Sequence, residues 1–332
     1  MILPSLQDKF GRTIRDLRIS VTDRCNFRCF YCIPNEDITW KRKQKLLTFD
    51  EIVQVCEIAV GLGVEKVRLT GGEPLLRSDL ELLIARLAKI PGLRDLAITT
   101  NAAGLKKRAP ALRSAGLNRI TISCDSLKPD MFKAITKRDA LQSVLDGIEA
   151  TIAAGFPPPK INCVVIRGMN DDEVVDFADF ARARSLCVRF IEYMPLDNGH
   201  QWNREMLVGG REVLQRIEER HKLVPLDRNA PSETALKYSF ADGEPGEIGI
   251  IAPVTMPFCG ACSRLRLTAD GNLRTCLFSM VDHNLRDLLR RGETGDGIAK
   301  FMIDTVLKKK AGHRINEQDF VQPPRTMSFI GG

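Results

Sequence analysis

The chain has 332 residues, 44% of them hydrophobic, too long and too apolar for disorder and enough to bury one large core or two unequal ones. Lysine and arginine number 49 against 42 aspartates and glutamates, a formal charge of +7 spread along the chain; it suits an anionic small molecule, while 15 Phe, 3 Tyr and 2 Trp form no basic and aromatic stripe of the kind nucleic acid needs. No apolar run reaches the roughly 18–20 residues of a membrane span and residues 1–12 lack an export signal's apolar block, so the expectation is a cytoplasmic protein with neither membrane nor nucleic-acid partner.

In chain order, short apolar runs at 17–21, 66–70, 95–99, 119–124, 160–166 and 187–193 predict six strands. Between them, 48–60, 78–88, 140–153 and 171–183 place apolar residues at helical spacing, and Thr48 with Glu51 three residues on is a capping-box signature. Alternating strand and helix implies a parallel sheet, either doubly wound or a barrel, because a parallel partner is reached by a helical crossover. Both architectures put function at the carboxyl ends of the strands, where Cys25, Gly71, Asn101, Asp125 and Pro195 fall. After about residue 225 the texture changes: turns at 225–231 and 242–246 punctuate short strands, and Ala269-Asp270-Gly271-Asn272 between 264–268 and 273–275 reads as a hairpin. A larger unit over 1–228 and a smaller one over 229–332 are expected, with Lys308-Lys309-Lys310 as a solvated helix end.

Ten cysteines without an export signal point away from structural disulfides. Cys56, Cys124, Cys163 and Cys187 stand alone and read as small core residues. Cys25, Cys29 and Cys32 have the spacing C-x3-C-x2-C directly after the first strand, so three thiolates could wrap one inorganic core. Four-iron clusters ordinarily take four cysteines, and a trio leaves one iron open for reaction. Zinc completed by a distant ligand is the bland alternative. Cys259, Cys262 and Cys276 form a second trio, for which a Cys3His zinc site with His283 is the alternative.

The first trio, with Tyr31 before its last cysteine and Gly71-Gly72-Glu73-Pro74 after the second strand, resembles the radical S-adenosylmethionine enzymes. A diglycine lets backbone approach a ligand without a Cβ, and Glu73 offers an acceptor to an ammonium. Both trios, the segment Cys262-Ser263-Arg264-Leu265-Arg266 and the closing Gly331-Gly332 together resemble the GTP 3′,8-cyclase family of molybdenum cofactor biosynthesis over essentially the whole chain. The resemblance implies an incomplete (β/α)6 barrel closed by a smaller C-terminal region with a second four-iron cluster.

It also implies that Cys25, Cys29 and Cys32 hold one cluster and Cys259, Cys262 and Cys276 the other. Tyr31, Gly72, Ser123 and Met194 would line the S-adenosylmethionine site. Arg18, Arg68, Thr99, Lys160 and Arg264-Leu265-Arg266 would hold GTP, with Gly331-Gly332 threading into the site. The arginines have independent physical support: guanidinium forks suit phosphate oxygens, and a charge inside an apolar strand needs a reason to be there. On that ground Arg189 joins them. The implied reaction begins with one electron reaching S-adenosylmethionine, whose 5′-deoxyadenosyl fragment takes hydrogen from C3′ of GTP. The carbon radical closes onto C8, and a further electron and proton give (8S)-3′,8-cyclo-7,8-dihydroguanosine 5′-triphosphate. An external electron donor and, through the product, a downstream cyclic pyranopterin monophosphate synthase are the implied partners; monomer and homodimer both remain open. The chain departs from the family where Ala102 and Cys124 replace a customary glycine and a larger apolar residue, which bears on loop geometry.

Rival readings are a radical enzyme with an auxiliary cluster acting on a peptide or protein, an electron carrier, and a zinc-stabilised binding module. The first has no use for Arg264-Leu265-Arg266 or the diglycine. The second fits an open iron poorly.

Overall fold

The structure is a computed structural model that describes residues 5–33, 40–196 and 201–331. Six strands, β1 (Asp16–Ser20), β2 (Lys66–Thr70), β3 (Asp95–Thr100), β4 (Arg119–Ser123), β5 (Lys160–Val165) and β6 (Cys187–Glu192), lie side by side in that order, all parallel. Helical crossovers join or follow them: α1 (Phe49–Gly61), α2 (Leu80–Leu87), α3 (Leu105–Ser114), the pair α4 (Pro129–Thr136) and α5 (Leu141–Ala153), α6 (Val174–Arg184) and α7 (Gly210–Glu218). Six strand and helix units in this order make an incomplete (β/α)6 barrel. Its α1 starts where expected: the Thr48 hydroxyl accepts from Glu51 N–H at 3.1 Å, and Glu51 accepts from Thr48 N–H at 2.7 Å.

The two faces of the sheet differ in kind. Leu17, Ile19, Val67, Leu69, Ile120, Ile122, Ile161, Val188 and Phe190 point outward and are buried in one core with helix residues such as Val55, Leu83, Leu112, Ile148 and Phe177. The alternate positions Arg18, Arg68, Thr99, Ser123, Asn162 and Arg189 face inward, where they wall a cavity rather than fill a core.

The C-terminal strands continue this sheet at both edges. β7 (Leu223–Leu226), β8 (Leu236–Phe240) and β9 (Glu247–Ile251) form an antiparallel meander whose β9 then lies parallel to β6. The expected division at 228/229 falls between β7 and β8. At the other edge β10 (Arg264–Leu267) lies parallel to β1 and antiparallel to β11 (Asn272–Arg274), which pairs with β12 (His283–Asn284). The 264–275 hairpin is therefore present, its turn made by Gly271 at φ +79°. After α8 (Arg286–Arg290), α9 (Gly295–Leu307) packs on α1, and α10 (Met327–Ile330) brings the terminus back to the barrel.

Two local expectations are corrected. Lys308 and Lys310 are exposed, but Lys309 between them is only 3% exposed, because the chain past α9 crosses the C-terminal cysteines instead of fraying into solvent. Cys56, Cys124 and Cys163 are buried as expected, whereas Cys187 opens β6 on its inward face with Sγ 3.1 Å from Glu247 Oε1. No helix among the described residues is long and apolar enough to cross a membrane.

Candidate active site

One cavity of about 300 Å³ gathers most of the residues singled out by the sequence. At its carboxyl-end rim β1 runs into the loop bearing Cys25, Cys29 and Cys32, all free thiols that line it. The diglycine after β2 seats this loop. Gly72 N–H donates to Thr22 O at 2.8 Å and Glu73 N–H to Arg24 O at 2.7 Å; a Cβ on Gly72 would lie 2.5 Å from the Arg24 carbonyl carbon and 2.7 Å from Asp23 O. Only glycine fits that approach. Glu73 itself is buried and its oxygens already take three internal donors, Leu75 N–H (2.9 Å), Thr100 Oγ1–H (2.6 Å) and Asn101 N–H (2.7 Å), so it braces the loop after β3. That loop contains Ala102 at φ +61°, the left-handed conformation its missing glycine would adopt more readily.

Tyr31 donates to Asp125 Oδ2 at 2.5 Å, and Asp125 Oδ1 accepts Val164 N–H at 2.8 Å, tying the cysteine loop to the ends of β4 and β5. Burial pushes the Asp125 carboxyl up to about 6, against the hydrogen bonds from Tyr31 and Val164. Burial, then Glu73, pushes Cys25 up to about 11, and burial, then Cys25, pushes Cys32 up to about 12; burial, then Asp125, raises Cys29 as well. Thiols in such a setting ionise when a cationic metal core supplies the missing counter-charge. Three free thiols lining one cavity are a donor set that would hold a four-iron cluster and leave one iron without a protein ligand.

Below the rim lies a basic band. Arg18 stands opposite Arg68 on β2 and Arg266 on β10 in the strand register, and Arg189 and Arg264 complete the lining. Arg68 Nη1 donates to Thr99 Oγ1 (3.2 Å) and Thr121 Oγ1 (2.9 Å); Arg189 Nη2 reaches Thr121 Oγ1 at 3.4 Å, while its buried Nε has no hydrogen-bond partner among the described residues. Burial, then mutual repulsion, depresses these groups: Arg68 to about 9, through Arg119 and Arg189, and Arg266 to about 10, chiefly through Arg264. Arg18 is lowered by burial, then Arg266, Arg264 and Arg68. Cations crowded against their own repulsion are a site for a polyanion. Lys160 does not line the cavity. It is half-buried on the inward face at the start of β5, two residues before Asn162, which does.

The opposite wall carries Cys259, Cys262 and Cys276, again free and half-buried. Arg12 Nη1 donates to Cys259 O at 2.8 Å and Ala311 O at 2.7 Å, and Arg12 Nη2 to Lys310 O at 2.6 Å. The Lys309 ammonium donates to Arg264 O at 3.0 Å and to Thr275 O. Burial opposes ionisation of Cys262, but Arg264 and Lys309 outweigh it and hold the thiol down at about 6. This donor set also fits a cluster. His283 is on β12 and is not among the lining residues.

Ser123 and Met194 line the cavity beside Tyr31 and Gly72. Leu265 is corrected: strand alternation sends the side chains of Arg264 and Arg266 inward and that of Leu265, fully buried, into the core, so only its peptide could meet a ligand. The Gly331 carbonyl accepts from Arg266 Nη1, and with φ +76° its Cβ would collide with Thr70 Oγ1 and lie 3.3 Å from Ser20 Cβ. The penultimate residue thus packs against the paired ends of β1 and β2, Ser20 and Thr70; Gly332 lies outside the described residues. Sequence reasoning missed Asp125 as Tyr31's partner, and missed Lys309 and His313, which also line the cavity. A carboxylate directly after an apolar strand was a signal for Asp125. Lys309, inside a run of three lysines, gave none.

Residues 19–181 match the Radical SAM superfamily and residues 186–315 match Molybdenum Cofactor Synthesis C. The chain is similar to the GTP 3′,8-cyclase of Streptomyces coelicolor, 45% identical over 328 residues that cover 98% of this chain and 96% of that one. It is also similar to that of Rhodopirellula baltica (44% over 331 residues, 99% and 92%) and to the mitochondrial GTP 3′,8-cyclase of Arabidopsis thaliana (42% over 327 residues, 98% and 83%). Among solved structures, Streptococcus suis SuiB bound to precursor peptide SuiA superposes with a TM-score of 0.62, covering 96% of this chain and 76% of that one at 14% identity. Native anSMEcpe with bound AdoMet gives 0.59, 90% and 82% at 13%. At such identity those two show the fold alone. The full-length relatives carry more: this chain belongs to the GTP 3′,8-cyclase family, within the radical S-adenosylmethionine superfamily.

Proposed function

We propose that this chain converts GTP to (8S)-3′,8-cyclo-7,8-dihydroguanosine 5′-triphosphate in molybdenum cofactor biosynthesis, with one four-iron cluster on Cys25, Cys29 and Cys32 and a second on Cys259, Cys262 and Cys276. The observation that carries the reading is that both thiol trios and five arginines wall a single cavity. When bound, the N-terminal cluster and S-adenosylmethionine supply hydrogen-atom abstraction at C3′ of the ribose, from which closure onto C8 follows.

The chain's own residues place and shield. Gly72 lets the backbone approach the cosubstrate, and Tyr31, Ser123 and Met194 line its end of the cavity. Arg18, Arg68, Arg189, Arg264 and Arg266 bind the triphosphate, with Thr99 holding the Arg68 fork and Lys160 adding charge from below. The C-terminal trio faces the purine. Gly331, whose carbonyl accepts from Arg266, closes the site on that side, keeping water from the reacting carbons. An external one-electron donor is required, the product passes to a cyclic pyranopterin monophosphate synthase, and the setting is the cytoplasm.

The test is anaerobic reconstitution with S-adenosylmethionine, a strong reductant and GTP. Mass spectrometry should find the cyclised nucleotide together with 5′-deoxyadenosine. Cleavage of the cosubstrate with GTP returned unchanged would overturn the assignment. Iron should fall from roughly eight to roughly four per chain in Cys276→Ala.

A further inference from the structure

The C-terminal thiols come from two stretches of chain, the turn at 259–262 and the second residue after β11, which the antiparallel pairing of β10 with β11 (Arg266 opposite Arg274) sets side by side. A third stretch ties their ends. Past α9 the chain lies across them as a strap, and three separate contacts fix it there.

Lys309 is buried, and its ammonium donates to Arg264 O, two residues after Cys262, and to Thr275 O, directly before Cys276. Arg12 donates to Cys259 O from one side and to Lys310 O and Ala311 O from the other; its own orientation is fixed by Asp8, whose Oδ2 accepts from Arg12 Nε at 2.6 Å. Gly312 lies where a Cβ would be 3.3 Å from Cys259 Cβ and 3.5 Å from its Sγ. The strap therefore touches each of the segments that bear the three cysteines.

We propose that Lys309 is a positioning residue for the C-terminal metal centre: its ammonium joins the Cys262 and Cys276 segments and leaves a fixed positive charge against the centre they hold. This rests on the reading that these cysteines bind a cluster. The carbonyls bonded to Lys309 are spent on it, so the side chain sets the spacing of two thiols without itself being a ligand. Its charge has a second effect. A buried cation beside a cluster favours the more reduced, more negative state and so raises the reduction potential. Methionine at 309 would keep the length and the burial while removing both donors and the charge.

The experiment compares the anaerobically reconstituted full-length wild type with Lys309→Met, Lys309→Arg and, as an exposed control, Lys308→Met. Iron per chain, the melting temperature and an EPR-monitored redox titration are read, the C-terminal signal being the one absent from Cys276→Ala. In Lys309→Met the C-terminal centre should load incompletely at limiting iron. After loading with excess iron its midpoint potential should lie below that of wild type. The N-terminal signal should stay unchanged, the melting temperature should fall only by the few degrees that two lost carbonyl bonds cost, Lys309→Arg should recover the potential, and Lys308→Met should match wild type throughout. Full iron with an unshifted C-terminal potential in Lys309→Met would overturn the proposal, as would loss of iron with no change in potential after reloading, the mark of a merely structural lysine. Only four irons in the wild type would instead remove the second cluster, and the proposal with it.

Discussion

Substituting Gly72 by alanine tests how the cysteine loop is seated. The added methyl would stand 2.5 Å from the Arg24 carbonyl carbon and 2.7 Å from Asp23 O, where about 3.3 Å is needed, so the 23–24 backbone must retreat by about 1 Å. Two hydrogen bonds cross this junction, Gly72 N–H to Thr22 O and Glu73 N–H to Arg24 O. Overpacking costs about 1–3 kcal/mol and each of the two weakened bonds about 0.5–1.5 kcal/mol, together roughly 2–6 kcal/mol. For a chain of this size about 1 kcal/mol corresponds to roughly 1.5 °C, so the melting temperature should fall by about 3–9 °C. Because Cys25 follows the displaced residues directly, the N-terminal cluster should assemble poorly, taking S-adenosylmethionine cleavage with it, while the C-terminal trio keeps roughly four irons. Differential scanning calorimetry, iron analysis and 5′-deoxyadenosine yield check each part. A Gly72→Ala protein that melts with the wild type and cleaves the cosubstrate normally would show that the junction is looser than the structure has it.

Arg266→Met should raise the GTP KM about 10–100-fold through loss of charge-assisted hydrogen bonds, with cluster content unchanged; a KM within twofold of wild type would remove Arg266 from the phosphate site. Deleting Gly331 and Gly332 should abolish cyclisation while both clusters still assemble, and full activity in the truncated enzyme would deny the tail its role. Asp125→Asn gives a pH signature. The Asp125 carboxyl sits at about 6 when folded, above its ordinary 3.8 because of burial, so its contribution to stability is fully present below about pH 4 and is lost as the pH rises through 6. Asparagine has no such loss; relative to wild type the variant should gain on the order of 2–3 kcal/mol between pH 4 and pH 7, and a melting-temperature difference constant across that range would contradict the burial argument.

The strands were legible because each carries a short β-rich run, and their predicted limits fall within one residue of the observed ones. Helix α1 was legible through Thr48 and Glu51. Helix α3 was not, since Leu105–Ser114 is rich in lysine and arginine and contains Pro110, which reads as a break. The thiol trios showed themselves by spacing, and Arg189 by being a charge in an apolar strand. Leu265 was included because motif resemblance works on consecutive residues, whereas a strand divides consecutive residues between two faces. Asp125 and Lys309 depend on partners remote in sequence: Tyr31 is 94 positions from Asp125, and the carbonyls held by Lys309 are 45 and 34 positions away. Local pattern carries no trace of such pairings.

Four cations around the two thiol trios and the cavity, Arg12, Lys309, Arg68 and Arg189, fall into two groups by what they bond. Arg12 and Lys309 donate to backbone carbonyls and, in Arg12's case, to a buried carboxylate, so their hydrogen-bonding capacity is used within the fold. Among the described residues Arg68 and Arg189 donate only to threonine hydroxyls, and Arg68 is pushed down to about 9 by burial and by neighbouring arginines. The first group stabilises the resting protein; the second opposes it, since like charges in a poorly solvated cavity repel at every separation the barrel allows. On the proposed function, filling the cavity with a triphosphate would turn that repulsion into attraction and release binding energy where the phosphates sit, far from the carbon that reacts. Remote binding energy of this kind would hold C3′ and the purine in register for ring closure. The pairing of β10 with β1, which sets Arg264 and Arg266 alongside Arg18 just past the turn bearing Cys259 and Cys262, would let the C-terminal region supply both the proposed anion site and, with Cys276 beyond β11, the proposed metal wall.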